Sequence, residues 1–228
     1  MDSLSERLTR IRERIVRAAE RAGRPAESVR LLPISKGFSI GVIREAMELG
    51  LDEFGESRVQ EAEAKFREIA GPRWHLVGHL QSNKAKRAVE LFDVIHSVDS
   101  ERLAEELARR ATAAGRSTEC YVEVNTSGDE SKFGVAPEDA VALLSRVRSL
   151  QPLRLNGLMT IGPLQGGESG ARASFRALSA LREQARRAGV LDESSGLSMG
   201  MSDDFEIAIE EGATIVRVGS ALFGERTA

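Results

Sequence analysis

The sequence predicts an α/β protein folded as a single-domain (β/α)8 (TIM) barrel with an extra N-terminal helix. Three observations carry this expectation. Short apolar runs alternate with longer amphipathic ones along the chain, the pattern of βαβ units and a parallel sheet. Eight such apolar runs can be counted, the number that closes a barrel. No low-complexity linker divides the 228 residues, a length at which α/β barrels commonly form one domain, here 1–228. A doubly wound open sheet is the competing arrangement for the same alternation.

Taken in order, Leu4, Leu8, Ile11 and Ile15 recur at helical spacing and make the first segment an amphipathic helix. Its arginines are interleaved with Glu6, Glu13 and Glu20, unlike those of a transit peptide. Strands are predicted at 31–35, 53–55, 74–78, 94–98, 120–125, 153–160, 196–199 and 214–218. Helical patterns fall between them at 40–49, 56–69, 101–114, 137–150 and 171–188. Ser202 stands where the N-cap of the last long helix belongs. The glycine-rich stretch from Gly162 to Gly170 reads as a flexible loop.

Composition excludes several classes. A net charge of -3 with 29% charged residues carries no electrostatic footprint for nucleic acid. No apolar run approaches the roughly 20 residues that span a bilayer. The N-terminus lacks the apolar core of a secretory signal. Cys120 is the single cysteine, so an internal disulfide is excluded and a reducing compartment fits. The expectation is a soluble, cytoplasmic protein.

In a barrel of this kind the active site is built at the C-terminal ends of the strands. The residues predicted there are small or polar, and Lys36 is the most telling. A lysine at the tip of a buried strand either snorkels its ammonium out to water or is desolvated into a nucleophilic amine. The second state is the requirement for a Schiff base. Phosphates in barrels commonly lie on the loops after strands seven and eight. There, Ser198-Met199-Gly200-Met201-Ser202 and Gly219-Ser220 offer glycines that let backbone N–H groups approach an anion. Asp203 and Asp204, placed in a first helical turn, would complement the dipole but repel a phosphate, so plain capping is the other reading. Arg217 shares the inward face of its strand with Ile215. It needs a partner there, either the nitrogen of a heteroaromatic ligand or a carboxylate such as Glu123. Asn83 opens a helix at the rim and either lines the site or caps that helix.

A lysine amine, a phosphate cradle and a ring-facing cation together describe a site for pyridoxal 5′-phosphate. The motifs agree. Ile34-Ser35-Lys36, Phe54-Gly55-Glu56, the run from Trp74 to Lys84 and His96-Ser97-Val98-Asp99-Ser100 come first. Val124 to Gly128, Ser131-Lys132-Phe133-Gly134, Gly157 to Ile161, Ser198 to Glu206 and Val216 to Ser220 follow in order. In these segments the chain resembles the pyridoxal phosphate homeostasis protein family, whose fold is like the N-terminal barrel of alanine racemase. The resemblance implies Lys36 as the Schiff-base lysine. It implies Ser202, Gly219 and Ser220 as phosphate contacts, Met199 beside them, and Arg217 facing the pyridine nitrogen. It further implies a non-catalytic carrier of the cofactor, acting in its intracellular homeostasis. One position departs from the family: Ser57 follows Gly55-Glu56 where an asparagine is usual, which puts a ring-side contact in doubt.

Chemistry supports carriage in part. An arginine at the ring nitrogen leaves it unprotonated and the ring a weak electron sink, which disfavours decarboxylation and elimination. A two-base amino-acid racemase, the enzymatic alternative, needs a second proton carrier opposite Lys36. In alanine racemases that carrier is a tyrosine brought by a second domain. No such domain is expected before the chain ends at Ala228, and Tyr121, the single tyrosine, lies early in its strand. A barrel binding another phosphorylated metabolite without a covalent link is the third reading. The expected partners are pyridoxal 5′-phosphate and, as candidate recipients, apo-enzymes that depend on it. Neither nucleic acid nor a membrane is expected, and a monomer is. His75 and His79 are four apart on a strand of period two, with no third ligand at metal-site spacing, so no metal is expected.

Overall fold

The computed structural model describes residues 2–129, 131–163 and 165–224. In chain order its elements are α1 (Leu4–Arg21), β1 (Arg30–Pro33), α2 (Ile40–Glu48), β2 (Glu53–Glu56), α3 (Val59–Phe66) and β3 (Arg73–Leu76). Next come α4 (Ala85–Leu91), β4 (Val94–Val98), α5 (Glu101–Ala113), β5 (Thr118–Glu123), α6 (Ala140–Ser149) and β6 (Leu153–Met159). The chain continues with α7 (Gly167–Arg187), β7 (Gly196–Ser198), α8 (Phe205–Glu210), β8 (Ile215–Val218) and α9 (Ser220–Phe223).

The eight strands are parallel and run in the order β1-β8-β7-β6-β5-β4-β3-β2. The ring closes between its first and last members through a bridge from Ile34 to Gly55, where the Ser35 N–H donates to the Gly55 carbonyl at 2.9 Å. Gly55 suits this approach, since a Cβ there would lie 2.5 Å from Ile34 Cδ1 and that side chain would have to shift. The fold is therefore the closed (β/α)8 barrel with a leading helix, not an open sheet.

α1 begins with a capping box, the Glu6 N–H donating to Ser3 Oγ at 3.2 Å and the Ser3 N–H to the Glu6 carboxylate at 2.7 Å. It buries Leu4, Leu8, Ile11 and Ile15 on one face. That helix lies outside the barrel along α8 and α9. Arg14 pairs with Glu206 at 2.9 Å and covers the Phe205 ring at 4.5 Å, while Arg7 Nε donates to the Leu222 carbonyl at 2.6 Å. The extra helix thus braces the two short helices behind strands seven and eight.

Two apolar layers hold the fold. One fills the space between strands and helices; the other, Leu32, Val94, Tyr121, Met159 and Ile215, fills the barrel interior. At the N-terminal ends of the strands, ion pairs lace the interior shut. Arg30 pairs with Glu53 at 3.2 Å, Arg73 reaches Glu53 at 3.6 Å and Glu119 at 2.5 Å, and Asn156 donates to Glu119. No helix among the described residues is long and apolar enough to cross a membrane.

All eight predicted strands form, with ends shifted by up to two residues. Three expectations are corrected. The helix after Ser202 has six residues, with Asp204 rather than Ser202 at its N-cap, so neither aspartate lies in its first turn. Ser202 instead serves the next element: its hydroxyl oxygen accepts from the Gly219 and Ala221 N–H groups at the start of α9. Last, α7 starts at Gly167, inside the stretch read as a loop, because Gly166 (φ 98°) turns the chain into it; Leu164 of that stretch lies outside the described residues.

Candidate functional site

The C-terminal ends of β1 and β8 lie side by side: Pro33 is in register with Val218, and the Ile34 N–H donates to the Val218 carbonyl at 2.9 Å. Gly219 consequently packs against Ile34, where a Cβ would come within 3.3 Å of the Ile34 carbonyl oxygen. Lys36 and the β8–α9 turn are thus neighbours at the mouth of the barrel.

In that turn, main-chain and side-chain donors converge. The N–H groups of Gly219 and Ala221 both point to Ser202 Oγ at 3.3 Å, and the Ser220 hydroxyl is 3.2 Å from it. Two N–H groups and the Ser220 hydroxyl gathered around the Ser202 hydroxyl are donors of the kind a phosphate accepts from, several at once. Of the two acidic residues that threatened this reading, Asp204 turns to its own loop. Asp204 Oδ1 accepts from the Met201 N–H at 2.6 Å, and burial raises its carboxyl above the ordinary aspartate value.

Arg217 is 4% exposed and points inward as its alternation with Ile215 predicts. Its Nη1 donates to the Ser198 carbonyl at 2.7 Å and to Ser198 Oγ at 2.9 Å; its Nη2 donates to the Thr160 carbonyl at 2.8 Å. Burial lowers its pKa to about 10, with Glu123 and Asp204 opposing, so it stays cationic at neutral pH. The salt bridge to Glu123 considered from the sequence is absent among the described residues; the guanidinium is held by carbonyls and a hydroxyl instead.

Below Arg217 runs a chain of hydrogen bonds that fixes proton positions. An arginine only donates, so the Ser198 hydroxyl proton must go elsewhere, to His96 Nδ1 at 2.9 Å. His96 then carries its proton on Nε2 and donates to His75 Nδ1, also at 2.9 Å. His75 is left with a proton on Nε2, facing Glu53 Oε1 at 3.8 Å. Burial lowers both imidazoles below the ordinary histidine value, His96 furthest, which matches this all-neutral arrangement. Tyr121 stacks on His96 with ring centroids 4.6 Å apart, deep in the barrel and 3% exposed.

Glu123 closes the same layer from β5. It is 3% exposed, its Oε2 has no hydrogen-bond partner, and burial together with Asp99 raises its pKa to about 7 despite Arg217. The folded form therefore holds this proton more tightly than the unfolded chain does. The resulting stabilisation is complete below about pH 4.5 and is lost as pH rises through about 7. Above that, the buried carboxylate destabilises the protein by on the order of 3 kcal/mol. Glu123→Gln is expected to raise the urea midpoint at pH 8 relative to wild type and to do so much less at pH 5. Equal gains at both pH values would show that Glu123 does not titrate in this window.

Lys36 occupies the tight turn after β1, partly buried, with no side-chain hydrogen bond or ion pair among the described residues. The fully buried lysine is a different one, Lys65 of α3, at 7% exposure. Its ammonium donates to the Ser35 carbonyl at 2.7 Å, to Glu56 Oε1 at 2.6 Å and to Glu61 Oε1 at 3.3 Å, which uses all three of its donors. Of these two lysines, Lys65 is fully engaged and Lys36 has an amine without a partner among the described residues. Lys65 was detectable in the sequence: with Val59 and Ala62 it falls on the buried face of its helix, where a lysine demands a partner.

Other predicted residues fall at varying distance from this constellation. Ser202, Gly219 and Ser220 come together in the turn after β8, next to the strand that leads to Lys36, while Arg217 points into the interior towards Ser198 and Thr160. Met199 follows directly on β7, but its side chain belongs to the layer between strands and helices. Asn83 is exposed in a shallow depression with Arg102, Glu105 and Arg109 of α5. His79 lies 3.3 Å from Asp99 and stacks on the exposed Phe133 at 3.6 Å. Ser57 Oγ has no partner, and its carbonyl is so close to Gly78 that a Cβ there would come within 2.3 Å.

Known proteins resemble this chain in sequence and fold. Residues 7–227 match the family described as alanine racemase, N-terminal domain. The pyridoxal phosphate homeostasis protein of Aquifex aeolicus is 44% identical over 223 residues, 97% of each chain. The protein of the same name from Pseudomonas aeruginosa is 42% identical over 231 residues, 99% of this chain and 97% of that one. Among solved structures, PipY of Synechococcus elongatus PCC7942 with PLP bound superposes with a TM-score of 0.82. It shares 41% identity, covering 97% of this chain and 100% of that one.

Proposed function

Because the chain belongs to the pyridoxal phosphate homeostasis protein family, with the alanine racemase N-terminal barrel as its fold, we propose that it binds pyridoxal 5′-phosphate as a Schiff base of Lys36. On this reading it holds and releases the cofactor within the cytoplasm without turning over a substrate. One observation carries it: Gly219, Ser220, Ala221 and Ser202 gather their polar groups in the turn after β8, the strand paired with β1, and the turn after β1 carries the unpaired amine of Lys36.

The donor set fits the cofactor. Ser202, Gly219, Ser220 and Ala221 would hold the phosphate, and Arg217 would face the ring nitrogen. The bound group supplies an aldehyde carbon to which an amine adds reversibly with loss of water. The chain's part is to present that amine unpaired and to keep Arg217 charged through its carbonyl acceptors. Tyr121, the single tyrosine, is buried in the barrel and stacked on His96 and so offers no proton carrier at the rim, which supports carriage over racemisation. The relatives' names support homeostasis, and apo-enzymes that use the cofactor are the recipients in this reading. A monomer is part of the same proposal.

The test is an absorption spectrum of the purified protein mixed with pyridoxal 5′-phosphate, followed by borohydride reduction and peptide mapping. A visible band, trapped by borohydride as a covalent adduct on the peptide containing Lys36, is expected. A spectrum equal to that of free cofactor, with no adduct, would overturn the covalent reading and leave a phosphate-binding barrel. Incubating the loaded protein with an apo-enzyme, with and without a scavenger of free cofactor, then tests delivery.

A further inference from the structure

The turn that carries Lys36 is held on both sides of the lysine by side chains from other elements. Ser35 to Phe38 form a tight turn in which the Phe38 N–H donates to the Ser35 carbonyl at 3.1 Å. Lys36 is its second residue and Gly37, at φ 77°, its third, the position where glycine avoids strain. Three charged side chains grip this turn from outside. Lys65 Nζ donates to the Ser35 carbonyl at 2.7 Å, and Ser35 Oγ donates to Glu56 Oε1 at 2.6 Å. The Gly37 N–H donates to Glu61 Oε1, also at 2.6 Å. Lys65 bridges the two carboxylates, at 2.6 Å from Glu56 and 3.3 Å from Glu61.

We infer that Lys65, with Glu56 and Glu61, is a positioning device that fixes the backbone on both sides of Lys36 and so aims its amine at the bound aldehyde. The inference rests on the assignment of Lys36 as the covalent anchor. Its physical basis is the cost of the arrangement. A lysine and a glutamate taken out of water give little net stability and are often replaceable by apolar residues. Here they join α3 and β2 to one turn of four residues. A reacting group held in place by rigid neighbours attacks faster, and a displacement of about 1 Å can slow it by orders of magnitude. Glu56 Oε2 has no partner, which leaves its Oε1 to accept from both Lys65 and Ser35. Burial pushes the Glu56 carboxyl up, while those two hydrogen bonds draw it back towards the charged form.

The experiment measures two quantities on intact protein. One is the rate at which pyridoxal 5′-phosphate becomes borohydride-trappable. The other is the affinity for pyridoxine 5′-phosphate, which carries the same ring and phosphate but no aldehyde. Lys65→Met and Glu61→Ala are expected to slow trapping about tenfold or more. Both should keep the affinity for pyridoxine 5′-phosphate within about twofold of wild type. Glu61→Gln retains an acceptor for the Gly37 N–H and is expected to restore most of the rate. Trapping at the wild-type rate in both variants, or equal losses for both ligands, would overturn the positioning role. Should Lys65→Met fail to fold, Glu61→Ala decides, because Glu61 lies at the surface edge of the network with 30% of its side chain exposed. If wild type itself yields no adduct, the Lys36 assignment fails instead, a result distinct from either outcome above.

Discussion

Lys36→Ala is expected to weaken binding of pyridoxal 5′-phosphate by about a hundredfold, equivalent to roughly 3 kcal/mol. Binding of pyridoxine 5′-phosphate should change by no more than a few-fold. The split follows from what the side chain does in the folded protein. Its amine has no partner among the described residues, so removing it breaks no internal interaction and the urea midpoint should stay unchanged. The donors of Gly219, Ser220, Ala221 and Ser202 remain in place, as does Arg217. Only the covalent bond is lost, and only a ligand with an aldehyde feels that loss. Isothermal titration of both ligands against both proteins checks it. Equal affinity of the variant and wild type for pyridoxal 5′-phosphate would mean that the bond is not made.

Arg217→Met is expected to destabilise the fold by about 3–5 kcal/mol, the range for removing one member of a buried charged network. The side chain supplies hydrogen bonds to two carbonyls and one hydroxyl in a region with little access to water. Its removal leaves those acceptors unsatisfied. Glu123 and Asp204 also lose the one positive charge that offsets their burial. Urea unfolding of the variant measures the loss, and a double mutant with Glu123→Gln measures the electrostatic part. The pair is expected to be less destabilised than the two single effects added together, because the second change removes a carboxylate that the first has stranded. Strict additivity would show that Arg217 and Glu123 do not interact.

Much of this arrangement is legible in the sequence because it is local. Period-two alternation puts Ile215 and Arg217 on the inner face, and strand ends place Lys36, Ser202 and Gly219 at one mouth. Relations between distant segments are not legible in this way. Nothing near Ser202 says that its oxygen serves the start of α9 rather than α8. His75 and His96 are 21 residues apart, and their pairing depends on the neighbouring register of β3 and β4. Met199 shows how sensitive such readings are. It follows the last residue of β7, and a shift of one residue along a strand moves a side chain to the other face. For Lys36, burial is the weaker argument: the buried lysine is Lys65, and Lys36 is partly buried with its amine unpaired among the described residues.

The ion-paired closure at the N-terminal ends of the strands makes the molecule a cup rather than a tube. Arg30, Glu53, Arg73, Glu119 and Asn156 form its base, and the interior above them is filled by side chains. A cup is filled and emptied over the same lip. On the proposed reading, the cofactor enters and leaves over that single face, so loading and release compete for it and must take turns.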